Sequence, residues 1–284
     1  VTDVVYLNGA WLPRAEAFVS VDDRGFLFGD GVYEVVRVVR GGFVDGDRHF
    51  RRLARSLAEL ALPDPASTGI DVSAVAREAL ERQGLSGPGE AVVYIQVTRG
   101  SAPRRHAFPP AGTSPTIFVA ASPFVAKPEK VTGAVVITAP DVRWQRCDIK
   151  SINLLPNVLA NQRAADRGAY EAILVRDGTV TEATHSSVFA VVDGVLRTHP
   201  NGPAILPGVT REVVLELAAG AAIDIRQEPL TAAELAEASE VFLTGTTTDV
   251  MPVTSIDGAQ VGSGEPGPVA RRLGALLDAR MEVS

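Results

Sequence analysis

Along the first hundred or so residues the apolar positions recur with two different periods, and each period predicts an element. Val4 to Leu7 reads as a strand that turns at Asn8-Gly9, and Tyr33 to Val39 as another that turns at Gly41-Gly42 into Phe43-Val44. Asp47 is placed to cap a helix, because Phe50, Leu53, Leu57 and Leu60 then fall on one face at helical spacing. A second helix is predicted over Ser73 to Gln83, ending near Gly84. From Ala91 to Arg99, Val93, Ile95 and Val97 alternate with Tyr94, Gln96 and Thr98, the mark of a half-buried strand, and Thr116 to Ala121 suits its neighbour. Pro123 and Pro128 then interrupt the pattern between Ser122 and Lys130.

Beyond that break, Gly133 to Ala139 is predicted as a strand, and Pro156 suits the first turn of a helix that stops before Gly168. Two hairpins are expected next. Asp177-Gly178 joins Glu171–Arg176 to Thr179–Glu182, and Asp193-Gly194 joins Ser187–Val192 to Val195–Thr198. Helices near Arg211 to Ala219, Thr231 to Ala238 and Pro268 to Ala279 interleave with a strand over Glu240 to Thr244. The pattern is that of an α+β, or mixed α/β, chain of two domains: a small N-terminal domain over 1–121, a linker over 122–130 and a larger C-terminal domain over 131–284. A length of 284 residues can supply two cores at roughly 150 residues per domain.

Composition narrows the function classes. Apolar residues make up 46% and charged residues 21%, which is ordinary for a globular protein. Acidic side chains outnumber basic ones by 34 to 27, and no Lys/Arg block stands apart from acidic neighbours, which argues against a nucleic-acid or membrane-surface partner. Cys147 is the sole cysteine, so no intramolecular disulfide or multi-cysteine metal site can form, and a cytoplasmic setting is expected. No basic n-region precedes an apolar stretch in Val1 to Tyr6, and no apolar run nears the roughly 18 residues of a membrane span.

A sharper signal is the scarcity of lysine: of the 27 basic residues only Lys127, Lys130 and Lys150 are lysine, the rest arginine. Lys127 and Lys130 lie in the Pro-containing stretch, where exposure is expected. Lys150 follows Arg146-Cys147-Asp148-Ile149, a segment dense with functional groups. Arginine cannot form an imine with an aldehyde, whereas lysine can, so a site that tolerates only lysine would leave this trace. Other residues extend the theme. Glu182, at the end of a hairpin strand, could pair with a protonated ring nitrogen, although a lone Glu is by default a surface residue. Gly208-Val209-Thr210 opens the helix near Arg211 and offers unbonded N–H groups to an anion. Gly245-Thr246-Thr247-Thr248, after a strand, offers hydroxyls and a close backbone, and Arg52 could add a fork to a phosphate, unless it merely faces water among Arg48, Arg51 and Arg55.

Several segments together resemble the fold-type IV pyridoxal 5'-phosphate (PLP) enzymes over nearly the whole chain: Asp23-Arg24-Gly25, Phe28-Gly29-Asp30-Gly31-Val32-Tyr33-Glu34, Arg146 to Ser151, Val180-Thr181-Glu182 and Gly208-Val209-Thr210-Arg211. Within that class, Tyr94 to Gly100 followed by Ala102-Pro103-Arg104-Arg105-His106-Ala107-Phe108-Pro109 resembles D-amino acid transaminases, as does Asp148 to Asn153. The resemblance implies that Lys150 holds the cofactor aldehyde and shuttles the substrate Cα proton, and that Glu182 holds the pyridinium. It further implies that Arg52, Val209, Thr210, Gly245 and Thr246 bind phosphate and that Leu206 packs on the ring. Tyr33, Arg104 and His106 would hold the substrate carboxylate, the latter two reaching in from the neighbouring subunit of a homodimer. Amino acids and 2-oxo acids would be the substrates, of the D-alanine and D-glutamate type, with pyruvate or 2-oxoglutarate as acceptors, in ping-pong order and without a metal.

Alternatives on the same fold are a branched-chain L-amino acid or (R)-amine transaminase and, less in keeping with the motifs, an aminodeoxychorismate lyase. The chain departs from the family pattern after Glu182. Ala183-Thr184-His185-Ser186-Ser187 replaces a serine-rich run that ordinarily ends in Asn, so His185 introduces an imidazole. Arg105 could favour acidic substrates or face water. His49, on a basic helix, and His199, before Pro200, suggest no site, and Asp30 and Glu34 are read as turn and solvated residues.

Overall fold

The period-two stretches become two antiparallel-rich sheets, one in each of the chain's units. The computed structural model describes residues 3–283; one unit comprises 3–125 with 149–153, the other 126–148 with 154–283.

In the first unit the elements run β1 (Val4–Leu7), β2 (Ala10–Pro13), α1 (Arg24–Phe28), β3 (Gly31–Val39), β4 (Gly42–Phe43), α2 (Gly46–Glu59), α3 (Val72–Arg82), β5 (Glu90–Thr98) and β6 (Thr116–Pro123). The sheet order is β2-β1-β6-β5-β3-β4, antiparallel throughout. Alternation decides which face is covered. Ala91, Val93, Ile95 and Val97 of β5 and Val32, Val36 and Val38 of β3 are buried together with Leu53 and Leu57 of α2, so the helix stripe packs where the strand pleat points. Two expectations need correction. The N-cap position of helix α2 is Asp45, which lies in the left-handed region and makes no side-chain capping bond, and Asp47 is inside the first turn. β6 continues to Pro123, and a short helix, α4 (Glu129–Thr132), opens the second unit.

The second unit continues with β7 (Ala134–Pro140), α5 (Leu155–Ala165), β8 (Glu171–Arg176), β9 (Thr179–Ala183), β10 (Ser187–Val192), β11 (Val195–Thr198), α6 (Val209–Gly220), β12 (Ile225–Gln227), β13 (Leu230–Thr231), α7 (Ala232–Glu237), β14 (Glu240–Gly245), β15 (Asp249–Ile256), β16 (Ala259–Gln260) and α8 (Pro268–Val283). The strands order as β12-β11-β10-β14-β15-β7-β8-β9-β13, with β16 beside β15. Both predicted hairpin turns form with positive φ at both residues, 50° and 77° at Asp177-Gly178 and the same at Asp193-Gly194, as two-residue turns between twisted strands require. Strand β15 escaped the sequence reading because Pro252 and three polar residues interrupt it. It nevertheless pairs with β14 on one side and β7 on the other, and burial of Val250, Met251 and Val253 outweighs the missing donor at Pro252. Lys130, expected to face solvent, instead donates to Asp249 and Asp278 at 3.0 and 2.6 Å. Among the described residues no helix is long and apolar enough to cross a membrane.

Candidate active site

The first unit holds Lys150 by its backbone. Lys150 N donates to Ser56 Oγ of α2 at 3.2 Å, and Lys150 O accepts from Tyr33 N of β3 at 3.0 Å. Next to it Ser151 bridges to Val32, and Ile152 N donates to Gly31 O. The segment fits so closely because two glycines leave room for it. A Cβ at Gly29, where φ is +67°, would overlap Asn153 Oδ1, and one at Gly31 would lie 3.0 Å from Ile152 Cδ1 and 2.8 Å from Val97 O. The Lys150 ammonium lies 4.2 Å from the centroid of the Tyr33 ring and makes no ion pair with any described carboxylate. An amine fixed at its root and uncommitted at its tip suits covalent capture of a carbonyl.

Beneath Lys150 lies a buried charge cluster that sequence reading misjudged. Glu34 falls on the inward row of β3, between Val32 and Val36, and is fully buried. Its carboxylate accepts from Arg52 Nε at 3.0 Å, from Arg52 NH2 at 2.6 Å, and lies 2.9 Å from His49 Nδ1. Glu34 is therefore a core group rather than a solvated one, and His49 and Arg52 face inward rather than lining a basic surface. Burial alone would raise the Glu34 carboxyl, but the Arg52 charge and the His49 hydrogen bond hold it well below the usual carboxylate range. Burial also pushes the His49 imidazole down. Asp30, read from sequence as a turn residue, is likewise an ion-pair hub with Arg24 and Arg99. Arg104 and His106 sit on an exposed loop beside Phe28.

The second unit carries the remaining predicted residues. Glu182, at the end of β9, is buried; Oε2 accepts from Leu206 N at 3.1 Å, and Oε1 accepts from Arg143 NH1. The Arg143 guanidinium in turn donates to Asp141 twice, at 2.9 Å each, and its backbone N–H once more at 3.1 Å; Asp141 also takes Arg176 at 3.0 Å and the Thr181 hydroxyl at 2.8 Å. Burial pushes the Glu182 carboxyl up, with Arg143 pulling the other way. Burial opposes ionisation of Asp141 too, but Arg143 and Thr181 bring it down to about 2. Sequence reading missed Asp141 and Arg143, whose charges sit too far apart in sequence from Glu182 to announce the contact.

Helix α6 begins at Val209, two residues before the expected start, with Gly208 as an N-cap that makes no side-chain capping bond. The first N–H groups of Val209 and Thr210 thus lack the side-chain acceptor that commonly meets a helix start. A Cβ at Gly208 would lie 2.9 Å from Ser187 Oγ, so glycine keeps that approach narrow. Gly245 to Thr248 is the turn between β14 and β15, closed by Thr248 N donating to Gly245 O. His185 is half-exposed, its Nδ1 3.1 Å from Glu171 Oε1. That same oxygen accepts from His185 N at 2.6 Å and Ser186 N at 3.1 Å, so buried Glu171 fixes the turn that leaves Glu182.

A two-unit mixed α+β chain with an anchored lysine in one unit, and a buried carboxylate and an uncapped helix start in the other, has the make-up of a fold-type IV group-transfer enzyme. A family model described as Amino-transferase class IV matches residues 31–256, and the chain belongs to that family. It is 42% identical over 275 residues to the D-alanine aminotransferase of Bacillus licheniformis, covering 96% of this chain and 95% of the relative. The D-alanine aminotransferase of Staphylococcus haemolyticus is 41% identical over 270 residues, 95% and 94% of the two chains. Among solved structures, the branched-chain amino acid aminotransferase from Escherichia coli superposes with a TM-score of 0.84 at 28% identity, covering 96% of this chain and 92% of that one. A hypothetical aminotransferase from Mycobacterium tuberculosis, in its PLP-bound form, does so with 0.82 at 26% identity, covering 98% of each.

Proposed function

We propose that this chain is a PLP-dependent D-amino acid transaminase that passes the amino group of D-alanine- or D-glutamate-type donors to 2-oxo acids in ping-pong order. The observation that carries the reading is Lys150, an amine pinned through its own backbone N–H and C=O and, among the described residues, paired with no carboxylate. The donor set of the chain fits the cofactor's three handles: an amine for its aldehyde, a buried carboxylate for its ring nitrogen, and the uncapped start of α6 for its phosphate. When bound, PLP supplies an aldehyde for amines and a protonated ring that accepts the electron pair left at Cα once its proton departs.

The chain's own residues then have separable tasks. Lys150 Nζ would take the proton from substrate Cα and return it to the carbon that carried the cofactor's aldehyde. Glu182, whose carboxylate accepts from Arg143 and from the Leu206 N–H, would pair with the ring nitrogen and favour its protonated form. Val209, Thr210, Gly245, Thr246 and Arg52 bind the phosphate, and Leu206 packs against the ring. Arg52 would do so while also bonded to Glu34. Tyr33, Arg104 and His106 anchor the substrate carboxylate, and that fixed end decides which enantiomer turns its Cα hydrogen toward Lys150. Arg104 and His106 serve the neighbouring site of a homodimer.

The D-alanine aminotransferases at 41–42% identity support the D-enantiomer; the branched-chain aminotransferase at 28% supports an L-specific reading less. The deciding experiment mixes holoenzyme with one amino acid at a time and follows loss of the cofactor chromophore. D-alanine and D-glutamate should bleach it, L-leucine should not, and Lys150→Ala should abolish the response. Bleaching by L-leucine in preference to D-alanine would replace the enantiomer assigned, and an undiminished response in Lys150→Ala would end the mechanism.

A further inference from the structure

We infer that Arg24, braced by Asp30 and Arg99, is a positioning residue that holds the Arg104–Phe108 loop in the shape needed to present Arg104 and His106 to substrate. The inference rests on the carboxylate-anchoring role proposed for those two residues. Within its own chain the loop has little to hold it. Arg104 to Phe108 are exposed and belong to no helix or strand, and among the described residues no backbone N–H between Pro103 and Pro109 makes a hydrogen bond. Such a segment, left alone, would sample many conformations.

What restrains it is one buried guanidinium. Arg24 NH1 donates to Arg105 O at 2.6 Å and to Ala107 O at 3.4 Å, and NH2 donates to His106 O at 3.5 Å. Three successive carbonyls therefore converge on a side chain that is itself 3% exposed. Arg24 cannot swing away, because its Nε is bonded to Asp30 Oδ2 at 2.8 Å. Asp30 is held in turn by Arg99, through Nε at 2.8 Å and NH2 at 3.0 Å. Arg99 is itself tied to the end of α2, donating to Leu60 O at 2.7 Å and Ala61 O at 2.8 Å. Phe28 and Phe108 complete the frame: Arg24 and Arg104 lie 4.8 and 5.2 Å from the Phe28 centroid, and Arg99 lies 3.7 Å from that of Phe108. The carbonyls are the part of the loop that carries no side-chain specificity. Gripping them fixes its path and leaves the Arg104 and His106 side chains available.

Arg24→Met is the informative variant, since it removes the donors while Asp30 keeps its two bonds to Arg99 and the fold keeps its hub. Two measurements judge it. The first is limited tryptic nicking after Arg104 or Arg105 in the holoenzyme, read by fragment mass; the variant should be cut about tenfold faster, as expected when a local restraint is lost. The second is steady-state kinetics with D-alanine, where KM should rise about tenfold with kcat changed far less, as expected for misplacing an anchor rather than a reacting group. In an Arg104→Ala background the same replacement should add little to KM, because the two act on one contact. Arg24→Lys, which keeps the pair with Asp30 but has fewer donors for the carbonyls, should fall between. An unchanged nicking rate in Arg24→Met, or an equal KM rise with and without Arg104, would overturn the inference. An Arg104→Ala enzyme with wild-type KM would instead sink the anchoring role, while the nicking rates still judge the clamp on their own.

Discussion

Replacing Arg52 by Met should convert a core cluster that loses no stability on the alkaline side of neutrality, the depressed His49 adding to it as pH rises past about 6.5, into one that loses stability as the medium becomes more alkaline. In the native chain Glu34 is ionised, Arg52 is charged and His49, pushed down by burial, is neutral, so the cluster is electrically balanced. The Glu34 carboxyl is depressed, and its contribution to stability is complete above its unfolded value of about 4.3. It is lost only as pH falls through the folded value, so it adds no slope near neutrality. Removing Arg52 leaves one buried negative charge with no full counter-charge, a change that costs about 3–5 kcal/mol. The variant can recover part of that by binding one more proton when folded, on Glu34 or on His49.

Either choice has the same sign. A site whose folded pKa is raised contributes stability that is present below the unfolded value, about 4.3 for Glu or about 6.5 for His, and lost as pH rises through the folded value. In that window the variant should lose about 1.4 kcal/mol per pH unit relative to wild type. Urea unfolding of both proteins at about pH 6.5 and about pH 8 should therefore show a gap that widens by about 2 kcal/mol on the alkaline side. Glu34→Gln combined with Arg52→Met, which removes both charges, should recover part of the loss. A gap equal at the two pH values would refute the reasoning, because it would mean that Glu34 had found water or another cation.

Two further outcomes follow from the same kind of accounting. The Asp141 carboxyl, brought down to about 2, should contribute about 2 kcal/mol above its unfolded value of about 3.9. Asp141→Asn should remove that share, so thermal unfolding of the two proteins should differ near pH 6 and converge as acid takes the wild type through the Asp141 folded value. Gly29→Ala should cost more than about 1 kcal/mol in urea unfolding, since φ there is +67° and the new methyl group would meet Asn153. A variant as stable as wild type would show that the 149–153 segment does not pack as tightly on α1 and β3 as described.

Much of the fold was legible because it rests on local rules. The alternation of β5, the apolar stripe of α2 and the two Asp-Gly hairpins each follow from side-chain periodicity or from turn backbone, and each requires only neighbours in sequence. Lys150 stood out as a candidate for a different reason, the rarity of lysine in a chain that uses arginine nearly everywhere, and Glu182 and the Gly208-Val209-Thr210 helix start were candidates because they lie in short motifs. What was not legible depends on partners distant in sequence. The Pro252-containing strand is held by β14 and β7, Arg143 meets Glu182 across a strand pair, and Arg24 meets carbonyls some eighty residues further on.

Glu34 is the most instructive departure from expectation, because the strand row that holds it already carries the signal. Positions 32, 34, 36 and 38 share one face of β3, and the other three are valine. A carboxylate in that row can be explained only by a break in the strand or by a buried cation opposite, since an unpaired ionised group in such a place is prohibitively costly. Helix α2 supplies the cation. Its buried stripe includes His49 and Arg52 beside Leu53, and Ser56 beside Leu57, at the spacing that an inward face requires. Polar residues on an apolar face are thus not noise in the periodicity. Here the mismatch in the strand and the mismatch in the helix are complementary. Their meeting point is also where Ser56 holds the backbone of Lys150, so the stripe that costs the core its apolar uniformity also fixes the root of the lysine proposed to hold the cofactor.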